Sequence, residues 1–231
     1  MSERRSVVVT GTSTGIGAAT VTALAGHGFD VWATVRRQQD ADRLIDEHGD
    51  AVRPLLMDLE DHDSIRAAGE TVTAAGPLFG LVNNAGAALP GPLEYLPIEV
   101  FRRQLDINLV GQLLVTQVML PALLAEANDR GNARIVMMGS IAGRVTGPTL
   151  GAYSAAKHGL VGMTGSLRAE LASANVTVFL IEPGAISTPI WTRGGAAAAQ
   201  IAVPPESAER YAPILEAAAE MGRNGLENGL P

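Results

Sequence analysis

The sequence has no cysteine and a single lysine. The absence of cysteine among 231 residues excludes disulfide bonds, thiol catalysis and cysteine-ligated metal sites. The four histidines lack the spacing of metal ligands, so no metal site is expected. The formal net charge of −7 argues against nucleic acid or an anionic membrane as the main partner.

Export and membrane features are also lacking. Residues 1–5 are polar and lead directly into a strand-like run, without the pattern of a signal peptide. Apolar runs are broken by glycine, proline or polar residues before they reach about 18 residues, so no membrane span is expected. A chain without cysteine suits a reducing compartment. We therefore expect a cytoplasmic protein.

The one lysine is Lys157, against sixteen arginines, and it follows Tyr153 by four residues. That spacing puts both side chains on one face of a helix. A neighbouring ammonium favours the phenolate and is expected to lower the pKa of Tyr153 toward neutrality. The broad guanidinium of arginine does not replace a compact ammonium. The pair suggests proton transfer, although a tyrosine and a lysine on a helix surface would have the same spacing.

Short apolar strands alternate with helical stretches. We expect strands at 7–10, 31–35, 52–57, 81–83, 134–138 and 176–181, with the third at an edge because it contains Pro54. Nearly continuous Val, Ile and Leu runs are typical of a parallel sheet buried on both faces. We predict an α/β, Rossmann-type doubly wound sheet of six parallel strands in the order 3-2-1-4-5-6. Helices should cover both faces, and no seventh strand is expected.

Residues 192–231 depart from this alternation. They contain a glycine- and alanine-rich stretch, Pro204 and Pro205, a helix expected over 207–221, and a loose end. Upstream, Pro121 is expected to break or kink the long helix over 99–120. We predict one domain, in which 1–191 form the dinucleotide-binding and catalytic part. Residues 192–231 would form a mobile substrate lid and a C-terminal helical segment.

A glycine-rich loop joins the first strand to the first helix. Gly11 would allow the tight turn, Gly15 the close approach of a diphosphate, and Gly17 the packing of helix on strand. The helix N-terminus would receive the anion, helped by the hydroxyl groups of Ser13 and Thr14. A turn without a ligand can have this composition. Its position between the first strand and first helix favours dinucleotide binding.

Two arginines follow the second strand, where an acidic residue would hold the ribose of NAD. Arg36 can pair bidentately with a 2′-phosphate, and Arg37 can assist it. This favours NADP(H), with NAD(H) possible; two solvated arginines are the alternative. Asp58 and Leu59 follow the third strand and are placed to contact adenine. The alternative for Asp58 is an acid stabilised by a helix N-terminus.

In combination, these residues resemble the short-chain dehydrogenase/reductase superfamily. The resemblance runs from Val7 to about Trp191, and residues 182–191 are similar to the steroid and retinol dehydrogenase-like branch. It implies hydride transfer between a nicotinamide cofactor and a hydrophobic alcohol or ketone that is steroid-, retinoid- or similarly lipid-like. The motifs occur in family order: Thr10-Gly11-x-x-x-Gly15-Ile16-Gly17, Asn83-Asn84-Ala85-Gly86, Asn108, Ser140, Tyr153-x-x-x-Lys157 and Pro183-Gly184.

The resemblance implies four catalytic residues. Tyr153 would give a proton to the carbonyl oxygen, Lys157 would hold the nicotinamide ribose, and Ser140 would orient the substrate oxygen. Asn108 would mark a helix distortion that holds a water on a proton path to Lys157. Asn83 would fix the neighbouring strand backbone.

Cofactor and substrate contacts are implied as well. Besides Arg36, Arg37, Asp58 and Leu59, the cofactor residues would be Gly11, Ser13, Thr14, Gly15, Ile16, Gly17, Asn84, Ala85, Gly86, Tyr153, Lys157, Pro183, Gly184, Ile186 and Thr188. Mostly apolar residues would meet the substrate, namely Ser140, Ile141, Leu150, Tyr153, Ile190 and Trp191. Arg144 and Arg193 could reach a polar substrate end.

Family members commonly form homodimers through two long helices, here 99–120 and 153–173. Apolar residues on these helices fit such an interface but could equally be domain core; they include Leu113, Val118, Leu160, Met163 and Leu167. A tetramer stays open. The main functional alternative is a catalytically weak or inactive NADP(H)-binding regulatory protein. A sugar-nucleotide epimerase or dehydratase ranks last, because such chains differ in glycine spacing.

Overall fold

Strands and helices alternate between Ser6 and Ile181 in the computed structural model, which describes residues 4–230. The predicted polar start at 1–3 and the last residue lie outside the described part. The strands are β1 (Ser6–Val9), β2 (Asp30–Val35), β3 (Val52–Leu56), β4 (Gly80–Asn83), β5 (Ala133–Met138) and β6 (Val176–Ile181). The main helices are α1 (Gly15–Gly26), α2 (Gln38–His48), α3 (His62–Ala75), α4 (Ile98–Leu105), α5 (Gly111–Arg130), α6 (Gly151–Leu171), α7 (Ile190–Ala198) and α8 (Pro205–Glu227).

The six strands form one parallel sheet in the predicted order, β3-β2-β1-β4-β5-β6. The central strands are buried on both faces, as their apolar runs indicate, with Val8, Leu81 and Ile135 fully buried. β3 lies at an edge, as the proline in it predicts. β1 lies between β2 and β4 in the sheet, so the strand order reverses direction at β1. This reversal opens a crevice at the carboxyl ends of the strands.

Of the expected break or kink at Pro121, the break is wrong, because α5 continues through the proline to Arg130. Proline removes one backbone donor from the helix. The following residues compensate: Ala122 and Leu123 are buried in the core, and the carbonyl oxygen of Ala122 accepts a hydrogen bond from Leu78 N at 3.0 Å. Tertiary packing therefore outweighs the local cost of the proline.

By length and composition alone, the continuous helical stretch Ile98–Arg130 is long and apolar enough to cross a membrane. Half of its apolar window is buried inside the fold. Val115, Met119 and Leu123 belong to the main core cluster against the sheet. The apolar character of this stretch is accounted for by its place as a core helix.

Two of the proposed interface residues pack inside the domain. Leu160 is fully buried in the core. Val118 packs against α3 at Gly69, where an added Cβ would lie 2.6 Å from the Val118 Cβ. The domain-core interpretation is therefore the right one for both residues.

The C-terminal part is more ordered than the sequence suggests. The glycine- and alanine-rich stretch forms α7, and α8 extends well beyond 207–221. Leu230 N donates to Ala185 O at 3.1 Å, and Leu230 O accepts from Ser187 N at 2.8 Å. An isolated parallel bridge joins Ile186 to Leu230 next to the six-stranded sheet. The expected loose end is thus wrong up to residue 230.

Candidate active site

A cleft of about 1090 Å³ lies at the carboxyl ends of the strands. Its lining includes every residue predicted for the catalytic, cofactor and substrate sites except Gly17. Gly17 lies just behind the wall, where an added Cβ would be 2.6 Å from Asn84 Nδ2. Residues predicted from motifs far apart in the sequence therefore line the same cleft.

The glycine loop has the backbone that its sequence predicts. Gly11 and Gly15 have positive φ angles of 68° and 61°, which favour glycine. A Cβ on Gly11 would lie 2.8 Å from the Cα of Ala85. α1 begins at the cleft, and the side chain of its N-cap residue, Thr14, makes no capping hydrogen bond. Its first backbone N–H groups are therefore suited to a diphosphate, and the loop fits a dinucleotide.

Thr10 and Asn84 tie this loop to the end of β4. The Thr10 hydroxyl oxygen accepts from Asn84 N at 2.9 Å and from Ala85 N at 2.8 Å. Asn84 Nδ2 donates to Thr10 O at 2.8 Å and to Gly11 O at 3.2 Å. The expectation that Asn83 fixes backbone is wrong: its Nδ2 donates to the side chains of Thr116 and Met137. Asn84 makes the backbone contacts instead.

The basic end of the cleft contains Arg36, which is 58% exposed and follows β2. Its Nη1 lies 3.9 Å from the Asp58 carboxylate. Asp58 is not the helix cap, because Asp61 accepts the N-terminal hydrogen bonds of α3. Sequence reasoning missed a second pair at this end, in which Arg103 donates to both Glu60 carboxylate oxygens at 2.7 and 2.9 Å. The Arg103 hydrogen bond lowers the pKa of Glu60.

Ser140 and Tyr153 meet in the middle of the cleft. Ser140 follows β5, and Tyr153 lies in the first turn of α6. Both side chains line the cleft, and the nearby Ser140 side chain acts to lower the pKa of the Tyr153 phenol against the larger effect of burial. The Ser140 oxygen also accepts from Ala142 N at 3.1 Å, which orients it. Two neighbouring hydroxyl groups in the cleft can bind one carbonyl or alcohol oxygen.

Lys157 lies one turn along α6 and is only 4% exposed. Its Nζ donates to Met138 O at 2.7 Å and lies 5.7 Å from the centroid of the Tyr153 ring. Burial lowers the pKa of Lys157 to about 8. The ammonium group is thus held at the end of β5, within the same cleft as the two hydroxyl groups.

The expected lowering of the Tyr153 pKa is wrong for this structure. Burial raises the pKa of Tyr153, and the nearby Ser140 side chain opposes this rise without overcoming it. Desolvation of the buried phenol is therefore the larger effect on its pKa.

Asn108 occupies the predicted distortion of the long helix. A π-helical turn, Asp106–Val110, separates α4 from α5, and Asn108 is fully buried in it. Its Oδ1 accepts from Ala87 N at 2.9 Å, and its Nδ2 donates to Ala87 O at 2.8 Å. The alternative of an exposed helix asparagine is excluded.

The opposite wall of the cleft is formed by loops and by the C-terminal helices. Trp191 is fixed by a 2.8 Å hydrogen bond from its Nε1 to Ile186 O. Arg193 lines the cleft, whereas Arg144 lies outside its lining and donates to Glu182 at 2.7 and 3.0 Å. Four residues of α8 and the one after its end also line this wall and were not predicted from the sequence: Ala217, Glu220, Asn224, Gly225 and Asn228.

The family model of the short chain dehydrogenases matches residues 5–198. The chain is 42% identical over 193 residues to a 3-amino-tetrahydro-pyrrolizinone reductase of Xenorhabdus hominickii, covering 82% of this chain and 64% of that protein. It is 36% identical over 190 residues to an NADPH-dependent 3-dehydrocapnine reductase of Ornithobacterium rhinotracheale, covering 81% and 67%. A 3-ketoacyl-(acyl-carrier-protein) reductase from Brucella melitensis, solved with NADH, has a TM-score of 0.76 at 29% identity, covering 83% and 80%.

The chain therefore belongs to the short-chain dehydrogenase/reductase family of oxidoreductases. Relatives that use NADPH or bind NADH support a nicotinamide dinucleotide, NAD(P)(H), as its cofactor. The chain spans about two thirds of the length of the two curated relatives.

Proposed function

We propose that this protein reduces a hydrophobic, lipid-like ketone to an alcohol, or catalyses the reverse reaction, with NADP(H) preferred over NAD(H). The meeting of Ser140, Tyr153 and the buried Lys157 in one cleft carries this proposal. Apolar side chains that line the same cleft favour a hydrophobic substrate; they include Leu89, Ile141, Leu150, Ile190 and Trp191.

Four polar residues of the cleft each have a role in this reaction. The cleft would hold a nicotinamide, which would supply or accept the hydride. The Ser140 hydroxyl binds and polarises the substrate oxygen, and Tyr153 transfers the proton to or from that oxygen. Lys157 provides the positive charge beside the phenol. Asn108 holds Ala87 in the wall next to them.

Arg36 supports the NADP(H) preference. It is exposed at the end of β2, and its contact with Asp58 is long for an ion pair. A 2′-phosphate would give it a closer, charge-assisted partner. Replacing Arg36 by Ala should raise the KM for NADPH about 10- to 100-fold. The KM for NADH should change by less than about threefold, and an equal rise for both would contradict the preference.

The function itself is tested by following nicotinamide absorbance with NADPH and a panel of apolar ketones. The wild type should turn over at least one of them. Tyr153→Phe should lower kcat by about 100- to 10,000-fold, because the phenyl ring keeps the packing but carries no proton. Its Kd for NADPH, measured by fluorescence, should stay within about twofold. Undiminished turnover by this variant would refute the assigned role of Tyr153.

A non-catalytic NADP(H)-binding protein is the second candidate. The geometry that favours it is the Lys157 ammonium, whose hydrogen bond to Met138 O ties it to the backbone, beside a Tyr153 phenol whose burial raises its pKa. In that case the wild type would bind NADPH tightly and reduce no ketone in the panel.

Two assignments of segments belong to this proposal. Residues 1–191 would bind the cofactor and carry out catalysis, while 192–231 would cover the substrate, which the position of α8 residues in the cleft wall supports. A homodimer would use the exposed parts of the helices at 99–120 and 153–173. Light scattering of the purified chain would test the dimer.

A further inference from the structure

Three amide side chains follow one another along the continuous helix from α4 to α5. Gln104, Asn108 and Gln112 are four residues apart, and each is at most 1% exposed. Residues at this spacing occupy one face of a helix. Burying an amide is unfavourable unless it forms hydrogen bonds. The partners of these three side chains therefore indicate why they are there.

All three bind the backbone of one short segment. Gln112 Nε2 donates to Ala85 O at 2.9 Å. Gln104 Nε2 donates to Ala87 O at 2.9 Å, next to Asn108, and Gln104 Oε1 accepts from Leu89 N at 2.7 Å. The bonded residues 85, 87 and 89 alternate, as along one edge of an extended strand. The three amides thus make the hydrogen bonds to this backbone that a neighbouring strand would make, just beyond the end of β4.

Residues 85–89 form a wall of the cleft along its length. At one end, Ala85 touches the glycine loop, since a Cβ on Gly11 would lie 2.8 Å from its Cα. At the other end, Leu89 leads to Gly91, whose N donates to Thr149 O at 2.7 Å. That loop carries Leu150, which lines the apolar part of the cleft. One end of the segment faces the cofactor loop, and the other faces the proposed substrate region.

We propose that Gln104 and Gln112 are positioning residues that act through this backbone. Gln104 fixes the backbone at Leu89, the end of the segment that faces the proposed substrate region. Gln112 fixes the backbone at Ala85, the end that faces the cofactor loop. The substrate part of this inference rests on the proposed function. Neither glutamine lines the cleft, whereas Asn108 does.

The test compares Gln104→Met with Gln112→Met, because methionine keeps nearly the same volume and removes the amide. Gln104→Met leaves Leu89 N without this acceptor. It should raise the KM for the ketone about five- to tenfold and change the Kd for NADPH by less than about twofold. Gln112→Met should do the reverse: a Kd for NADPH raised about five- to tenfold, with the ketone KM at saturating NADPH nearly unchanged.

Thr164→Val is the matched control. Thr164 is a buried residue of α6 whose hydroxyl donates to Leu160 O at 2.6 Å, and it does not line the cleft. It should change neither constant by more than about twofold. Gln104→Glu, whose buried carboxyl group would be neutral, keeps the acceptor for Leu89 N and should recover part of the ketone KM. Gln104→Leu, which also removes the amide, serves if Gln104→Met does not fold. Equal shifts of both constants in both methionine variants would overturn the proposal.

Hydrogen exchange separates this inference from the function on which it rests. Gln104→Met should speed exchange of the Leu89 amide about tenfold or more over the wild type, and Gln112→Met should not. A wild type that reduces no ketone would refute the proposed function, and the exchange result would still decide the role of Gln104. An unchanged Leu89 rate in Gln104→Met would refute that role in either case.

Discussion

The two sides of the cleft are held in different ways. On the floor, which we define as residues 85–89 with Ser140, Tyr153 and Lys157, buried side chains bind backbone atoms far away in sequence. On the rim, which we define as α7 and α8, the main anchor is a group of exposed polar side chains at one end. Buried hydrogen bonds are costly to lose, whereas exposed ion pairs contribute little.

The rim anchor is built around Glu94. Its carboxylate accepts from Arg210 at 2.8 and 2.9 Å, from Tyr95 at 2.8 Å and from Tyr211 at 2.9 Å. Tyr95 also forms a 2.5 Å hydrogen bond with Ser207 at the start of α8. The far end of α8 is held differently, by the backbone of Leu230. Substitutions on the rim should therefore change which substrate fits, while those on the floor should change whether the reaction proceeds.

Lys157→Met is expected to have the largest effect and to separate catalysis from stability. Loss of the ammonium should lower kcat about 100-fold or more. The same change removes a buried charge and should stabilise the fold by about 1–3 kcal/mol at pH 7. Melting temperatures and ketone turnover of the two proteins would measure both effects.

The pH dependence of this stabilisation has a definite sign. Since the pKa of Lys157 is lowered to about 8 from 10.5, the unfolded chain binds the extra proton between these values. The stability of the wild type should therefore rise with pH across that window, and the advantage of Lys157→Met should shrink there. A variant less stable than the wild type at pH 7 would show that the bond to Met138 O outweighs burial.

Local patterns predicted most of the floor and little of the rim. Strand order and the glycine loop follow from apolar runs and from glycine positions, which are local features. Gln104 and Gln112 were missed because an amide in an apolar helix does not reveal its partner, here 15 and 27 residues away. The raised pKa of Tyr153 depends on burial, which requires the folded chain. The alanine-rich α8 has too weak a pattern to predict where it packs.

The same substitution, glycine to alanine, can be made near the floor and on the rim, and its effects on stability can be compared. Gly17→Ala would place a methyl group against the backbone oxygen of Gly11 and 2.6 Å from Asn84 Nδ2, in the glycine loop next to the floor. It should destabilise the fold by about 1–3 kcal/mol and weaken NADPH binding, because the loop must shift. Gly195→Ala in α7 would meet none of the described residues within 4 Å and should stabilise that helix by about 0.5–1 kcal/mol. Chemical denaturation measures both; a destabilising Gly195→Ala would show that the rim is packed as closely as the floor.

Glu94→Gln should have the smallest effect on the reaction, because it loosens an exposed anchor away from the reacting atoms. We expect kcat within about twofold of the wild type, a KM for bulky ketones changed by less than about threefold, and faster proteolysis within α8. Glu216→Gln is the control, since Glu216 is an exposed residue of α8 and does not line the cleft.

The anchor should also respond to acid. Hydrogen bonds from Arg210, Tyr95 and Tyr211 lower the pKa of Glu94 to about 2 from 4.5. The contribution of its carboxylate to stability should therefore be fully present above about pH 4.5 and be lost as the pH falls toward 2. The proteolysis rates of wild type and Glu94→Gln should differ at neutral pH and converge in strong acid. A loss of turnover as large as that of Lys157→Met would mean that the rim takes part in catalysis, and the division between the two regions would fail.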